Sequence, residues 1–141
     1  MKISTKGRYG LRALVYMGLK SEIRVSLKEI SEEEGISLKY LEQIFSTLKK
    51  ANVVESIKGT QGGYIVSKKG INMTIYEILT ILEGEGKISE EKEDSGKNIE
   101  YTINNIIWEK IDMSTKAILE AYTLESLIEQ HKSIHSGMFY I

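Results

Sequence analysis

Residues 26–64 read SLKEISEEEGISLKYLEQIFSTLKKANVVESIKGTQGGY, and this stretch decides the fold. Ser26 and Glu29 have the spacing of a capping box, which predicts the start of a helix. Gly35 ends that helix by supplying the left-handed conformation of a C-cap, and Ser37 then caps a second helix. The pattern predicts two short helices joined by a tight glycine turn, with a β-hairpin after them.

The second helix is predicted to bury one face and to expose the other. Its apolar residues recur at the i, i+3, i+4, i+7 spacing of a buried stripe. The residues predicted to form a core within the helix pair are Ile30, Ile36, Leu41, Ile44, Phe45 and Leu48. The polar residues left on the outer face are Lys39, Tyr40, Gln43, Ser46, Thr47 and Lys50.

The hairpin is predicted to pair residues 53–58 with residues 64–67 across a glycine-rich tip. β-Branched and aromatic residues occur on both arms, and Gly59, Gly62 and Gly63 permit a flexible turn. In a winged helix-turn-helix one helix braces, the second enters the DNA major groove and the hairpin reaches along the backbone. The sequence therefore predicts a mainly α fold with a small β-hairpin wing, and DNA binding as its function.

Three side chains on the outer face of the second helix have the chemistry to discriminate bases. Gln43 can contact adenine in bidentate fashion, Glu42 can accept from cytosine, and Tyr40 can meet a thymine methyl group or a phosphate. The alternative is that these side chains form the solvated side of an ordinary surface helix, and the sequence leaves it open.

Lysines around this face are predicted to meet phosphates, which supplies salt-dependent affinity without sequence information. They are Lys39, Lys49 and Lys50. Lys58, immediately before the glycine-rich tip, can enter a narrow minor groove. A solvated hairpin lysine is the alternative for Lys58.

A first helix is predicted from Ser4 or Thr5 to about Lys20. The residues assigned to its buried face are Leu11, Leu14, Val15 and Leu19, and its basic residues are Lys2, Lys6, Arg8 and Arg12. Residues 1–70 carry 13 Lys and Arg against 7 Asp and Glu, whereas residues 71–141 carry 6 against 13. Such asymmetry favours a polyanion-binding front half.

The second half of the chain is predicted to serve another purpose. Thr74 and Glu77 form a further capping box that opens a helix, and residues 84–98 are a glycine- and acid-rich segment expected to be a flexible linker. From about Ile99 to Tyr122 a helical pattern spans roughly 36 Å, too long for a small domain to cover. Its apolar surface is therefore predicted to bury against a symmetry mate, which makes the protein a homodimer.

The predicted dimer-interface residues are Ile103, Ile107, Ile111 and Ile118. Thr123 is predicted to cap a last short helix. The chain ends in Met138, Phe139, Tyr140 and Ile141.

Composition excludes several classes of chemistry. The 141 residues include no cysteine, which excludes disulfides, cysteine nucleophiles and cysteine-ligated iron–sulfur clusters and suits a reducing cytoplasm. The apolar stretch at residues 11–19 has nine residues and is interrupted by Arg12, so it predicts neither a signal peptide nor a membrane span. We expect a cytoplasmic protein without a membrane partner.

The two histidines, His131 and His135, are four residues apart and could share a metal on a helix. Two ligands make a poor site and the sequence holds no third histidine, so no metal or other cofactor is expected. The chain also lacks a phosphate-cradling Walker motif and a recognisable serine, histidine and acid set. An enzyme is not expected.

The segments MKISTKGRYGLRAL, SLKYLEQIFSTLKKA and KGTQGGY together resemble the bacterial winged-helix regulators that include the iron–sulfur cluster regulator and the cysteine metabolism repressor. The resemblance covers nearly the whole chain. The cluster sensors of this family carry three cysteines in the loop that corresponds to residues 84–98, and this chain has none there. The resemblance implies DNA-facing positions at Ser37, Lys39, Tyr40, Glu42 and Gln43, with Lys58 where a wing arginine is frequent.

The ending MFYI resembles the cysteine-metabolism branch of the family, in which the C-terminal residues imitate the tail of serine acetyltransferase and enter cysteine synthase. The resemblance implies a repressor of sulfur-uptake and cysteine-synthesis genes with cysteine synthase as its signalling partner. Phe139, Tyr140 and Ile141 would bind that partner. A carboxylate beside an apolar side chain can be captured by backbone donors in a groove, although such a terminus can also pack onto its own dimer.

The sequence thus predicts a homodimeric repressor that binds a near-palindromic double-stranded DNA operator. Its predicted parts are a DNA-binding domain (1–83), an acidic loop (84–98), a dimerisation helix with a short packing helix (99–132) and a partner-binding tail (133–141). The predicted DNA-binding residues are Lys2, Ser4, Arg8, Ser37, Lys39, Tyr40, Glu42, Gln43, Lys49, Lys50, Lys58 and Gly59. The alternatives are a regulator of the same fold that answers another signal, and a winged-helix adaptor that binds only protein.

Overall fold

The computed structural model describes residues 3–20, 23–59, 62–84, 86, 89 and 98–137. Its elements in chain order are α1 (Thr5–Leu19), α2 (Leu27–Glu34), α3 (Leu38–Lys50), β1 (Val54–Ser56), β2 (Tyr64–Val66), α4 (Lys68–Ile71), α5 (Ile75–Glu83), α6 (Ile99–Ile103), a π-helical turn (Asn104–Trp108), α7 (Glu109–Glu120) and α8 (Leu124–Gly137). The order of helix pair and hairpin confirms the predicted winged helix-turn-helix. The short helix α4 was not predicted.

The predicted helix boundaries at the helix pair are confirmed. Ser26 Oγ accepts a 3.0 Å hydrogen bond from Glu29 N, and Ser37 Oγ accepts a 3.1 Å bond from Tyr40 N. Gly35 ends α2 at φ 66°, the left-handed conformation that a side chain would strain. The Glu29 carboxylate accepts from Tyr16 Oη at 2.5 Å, so it ties α2 to α1. Burial and this carboxylate raise the pKa of the Tyr16 phenol, which keeps its proton and remains the donor.

The hairpin of the wing is extended by a third short extended segment, at Val25. β1 and β2 pair antiparallel with Val54 opposite Val66, as expected for a hairpin. Val25, just before α2, exchanges two 2.9 Å hydrogen bonds with Tyr64 and so pairs with the outer edge of β2. The first residue of β2 is thereby bonded to the segment that leads into α2.

The core lies where α1, α3 and α5 meet the wing and α8. Its fully buried members include every residue predicted for the helix-pair core; the largest are Phe45, Leu14, Ile30, Ile36, Leu41, Ile44, Leu48, Ile78 and Leu124. The predicted face of α1 was partly wrong. Leu14 is buried, but Leu19 is 37% exposed, and Ala13 and Met17 take the buried positions instead. Gly10 allows this close packing, since a Cβ there would lie 2.5 Å from Leu82 Cδ1.

The long C-terminal helix is continuous from Ile99 to Glu120, as predicted, and it buries none of its residues. The π-helical turn in its middle was not predicted. The last helix, predicted to be short, has 14 residues and runs to Gly137, five residues into the segment 133–141. Thr123 Oγ1 accepts from Ser126 N at 3.1 Å at its start, as predicted. Most of the acidic segment 84–98 lies outside the described residues.

Candidate nucleic-acid interface

Helix α3 presents a continuous polar face opposite its buried stripe. The predicted contact residues that are exposed on it are Ser37, Lys39, Glu42, Gln43, Lys49 and Lys50. Tyr40 differs from them because it is half-buried, with its ring packed edge-on against Tyr9 of α1 at a centroid distance of 5.8 Å. The exposed face offers an amide, a carboxylate and three ammonium groups, which is the chemistry that base edges and phosphates require.

The beginning of α1 lies against both α3 and α5. Lys6 Nζ donates to Thr47 Oγ1 of α3 at 3.2 Å, so a cation of α1 is held at the edge of the polar face. Ser4 is the N-cap of α1, and both its N and its Oγ donate to Glu83 Oε1 at 2.6 Å. The hydroxyl of Ser4 is therefore already engaged within the chain.

Arg8 is exposed, with Nε donating to the carbonyl of Ile3 at 3.2 Å. This bond uses one of the donors of the guanidinium and leaves the others free for a phosphate. Lys2 lies outside the described residues. Ser4 and Arg8 are thus both exposed at the start of the chain, but only the guanidinium of Arg8 keeps donors that are not used within the described residues.

At the wing, Lys58 and Gly59 are both exposed at the beginning of the tip. Gly59 has φ 150° and Gly63 has φ 129°, conformations that side chains rarely adopt. Arg24 lies beside these glycines and was not predicted to be part of the site. Only the pairing of Val25 with Tyr64 brings it there, and nothing in the local sequence signals that pairing.

A polar recognition helix, a braced partner helix and a basic hairpin define a winged helix-turn-helix DNA-binding transcription regulator. The family described as "Rrf2: Iron-dependent Transcriptional regulator" matches residues 3–130. The chain belongs to the Rrf2 family. This membership confirms the predicted resemblance and the expectation of a regulator rather than an enzyme.

Individual relatives agree with this assignment. The transcriptional regulator CymR of Bacillus subtilis is 37% identical over 143 residues, which covers 100% of both chains. IscR of Escherichia coli is 40% identical over 84 residues, or 59% of this chain and 52% of its own.

Solved structures of relatives share the fold. The structure of B. subtilis CymR, described as the global cysteine regulator, has a TM-score of 0.79 at 36% identity and covers 92% of this chain and 98% of its own. Staphylococcus aureus CymR has a TM-score of 0.71 at 32% identity, with coverage of 89% and 97%.

The donor set of this chain does not fit an iron–sulfur cluster, although the family description mentions iron. Such clusters are held by cysteine thiolates, and the sequence has no cysteine. Within the described ranges, no three His, Asp or Glu side chains are grouped so that they could hold a metal ion. The ring centroids of His131 and His135 lie 4.0 Å apart on α8 with the rings tilted by 37°, and no third ligand joins them among the residues that the structure describes.

None of the helices in the described part of the chain combines the length and the apolar character needed to span a bilayer.

Proposed function

We propose that the protein is a homodimeric, sequence-specific DNA-binding repressor of cysteine and sulfur metabolism genes that acts in the cytoplasm. The observation that carries this proposal is the exposed face of α3, where Glu42 and Gln43 stand among lysines while the opposite side of the helix is fully buried. A rigidly seated helix can hold such side chains in register with base edges.

Titration of duplex promoter fragments at several salt concentrations tests DNA binding. A protein that neutralises several phosphates loses affinity steeply between about 50 and 200 mM salt, whereas a protein-only adaptor shows no salt-dependent binding. Lys132→Ala is a suitable control, because Lys132 lies on α8, which holds none of the predicted DNA-binding residues, and pairs there with Glu129. Binding that is absent at every salt concentration would overturn the proposal.

The proposed homodimer is supported by the apolar stripe of the long helix. Ile103, Ile107, Ile111 and Ile118 are 40%, 45%, 41% and 64% exposed. On a regular α-helix these four positions would spread over about 80° of the circumference. This spread is within the width of one apolar stripe on a helix, so the four isoleucines form one seam, with the π-helical turn (Asn104–Trp108) inside it. A second copy offers the same seam, as a two-fold interface requires.

Cysteine metabolism as the regulated process rests on the relatives. The B. subtilis protein similar to this chain over its whole length is described as the global cysteine regulator. Reporter fusions to sulfur-uptake promoters in a deletion strain test this proposal. We expect derepression in the strain that lacks the protein, and unchanged expression with and without cysteine would contradict it.

We further propose that cysteine synthase is the signalling partner and that the C-terminal tail binds it. The support is the ending MFYI; Phe139, Tyr140 and Ile141 lie outside the described residues. A pull-down should compare the intact chain with a chain lacking residues 139–141, and with Lys132→Ala as a control that keeps the tail. Equal capture of cysteine synthase by all three would refute the role of the tail.

A second candidate, a regulator of the same fold that binds a small effector, is favoured by a cleft between α5 and α7. The cleft has a volume of about 360 Å³. Its lining combines apolar side chains with polar and charged ones; it includes Tyr76, Leu79, Met113, Leu119, Thr80, Lys116, Glu83, Glu109 and Asp112. Small-molecule sites have this size, and the charged groups would favour a polar effector.

Thermal shifts with O-acetylserine and with cysteine, each measured with and without cysteine synthase, separate the two candidates. A shift without the enzyme that disappears in a cleft-filling Thr80→Phe variant would favour direct sensing. A shift that requires the enzyme would favour the complex.

A further inference from the structure

Arg24 lies at the wing although it belongs to neither strand of the hairpin. The neighbouring residue Val25 is bonded through both its N–H and its carbonyl to Tyr64. Because side chains alternate across an extended segment, Arg24 and Val25 point in opposite directions. Val25 is buried in the core, and Arg24 is exposed.

The side chain of Arg24 runs alongside two glycines of the wing, Gly63 and Gly59. A Cβ placed on Gly63 would lie 3.4 Å from Arg24 Cβ, and a Cβ placed on Gly59 would lie 3.4 Å from Arg24 Nη1. The aliphatic stem therefore passes Gly63 and the guanidinium reaches Gly59, next to Lys58. In the part of the chain that the structure describes, no carboxylate pairs with this guanidinium.

We propose that Arg24 enters the DNA minor groove beside the wing and makes binding sensitive to the width of that groove. A guanidinium is more weakly hydrated than an ammonium group, so it loses less when it leaves water. Narrow minor grooves at A·T-rich sequence have enhanced negative potential and attract arginine. Arg24 would thus add sequence preference at base pairs that α3 does not contact. Lys58, beside it at the wing, would supply mainly charge. This inference rests on the proposed DNA binding.

The test uses a duplex operator obtained by selection from random sequence, with the base pairs under the wing made A·T, I·C or G·C. A·T and I·C pairs lack the guanine amino group in the minor groove, whereas their major-groove patterns differ, so this series isolates the minor groove. The full-length protein, Arg24→Ala, Arg24→Lys and the charge-matched control Lys132→Ala are titrated on each duplex.

The wild-type protein should prefer A·T and I·C flanks to G·C flanks. Arg24→Ala should weaken binding to the A·T flank by roughly tenfold and abolish the preference, with a salt slope lower by about 1. Arg24→Lys should retain the salt slope and still lose the preference, because the ammonium group is more strongly hydrated. Lys132→Ala should behave as wild type.

Two results would overturn the inference: an unchanged flank preference in Arg24→Ala, or a loss of affinity that is the same on all three flanks. Failure of the proposed function is distinguishable, since in that case the wild-type protein would yield no selected operator. Arg24 makes no contact that the core depends on, so the melting temperature of Arg24→Ala should match that of the wild type and exclude unfolding as the cause.

Discussion

Between Thr5 and Glu83, every helix has buried residues, whereas between Ile99 and Glu120 no residue is buried. Both regions carry apolar side chains at helical spacing. In the first region they meet within the chain, with Phe45 fully buried against Tyr64 at a ring distance of 5.0 Å. In the second region the isoleucines face outward.

This difference separates a region that one chain packs by itself from a region whose apolar face a second copy would cover in the proposed dimer. The head, defined here as residues 3–83, holds the polar face of α3 in a fixed position by its own packing and capping. The long helix, defined as residues 99–120, contacts α5 through α7 but leaves its isoleucine seam exposed, and the proposed dimer would cover that seam. Operator binding by a dimer would couple the two regions, because the seam sets the distance between the two recognition helices.

The largest effect is expected from Ile107→Glu, which places a charge in the isoleucine seam. Burying an unpaired charge costs about 3–5 kcal/mol, so the dissociation constant of the dimer should rise at least roughly a hundredfold. The affinity for the operator should fall as a consequence. Sedimentation equilibrium and DNA titration measure both. Lys110→Glu on the same helix is the control and should remain dimeric. A dimeric Ile107→Glu would contradict the proposed seam.

The next largest effect is expected from Phe45→Ala in the head. Phe45 is fully buried, and such truncations lower the free energy of unfolding by about 3–5 kcal/mol. Phe45→Leu retains most of the volume and should cost less than about 1.5 kcal/mol. Chemical denaturation provides the measurement. Equal stability of Phe45→Ala and the wild type would show that the head does not depend on this packing.

Gln43→Ala should have an intermediate effect, on DNA binding alone. Loss of a bidentate base contact costs roughly 1–3 kcal/mol on the preferred operator and relaxes the preference at one position. Lys50→Ala should instead weaken all sequences about equally, because it removes a phosphate contact. Binding-site selection with each variant distinguishes the two. A selection profile that is unchanged in Gln43→Ala would remove Gln43 from the recognition face.

The smallest effect is expected from Ser37→Ala at the start of α3. The mutation removes the hydrogen bond from Tyr40 N to Ser37 Oγ, and the loss of such an N-cap costs about 1 kcal/mol. Ser46→Ala, exposed in the middle of the same helix, should change stability by less than about 0.5 kcal/mol. Thermal unfolding that ranks these two variants in the opposite order would contradict the capping role.

Local signals in the sequence were sufficient for the helix pair. The caps at Ser26 and Ser37, the C-cap at Gly35 and the buried stripe of α3 each depend on residues within one or two turns of each other, and the structure confirms them. The membership of the family also follows from local motifs. The DNA-contacting roles of the individual residues remain predictions.

Contacts between distant segments explain what the sequence did not reveal. Tyr40 has the spacing of an outer-face residue but is half-buried, because Tyr9 of α1 packs against it. Leu19 was assigned to the wrong face because α1 contacts several elements and small residues such as Ala13 fit where α1 packs closest. The position of Arg24 depends on pairing across about 40 residues, between Val25 and Tyr64.

Selection of binding sites from random duplex DNA by the full-length protein tests the central claim most directly, because it depends on the head and on the seam together. The account predicts enrichment of a near-palindrome whose half-sites are about 10–10.5 base pairs apart, or a multiple of that distance. Enrichment of single half-sites would contradict the dimer, and recovery of no preferred sequence would contradict the recognition face of α3.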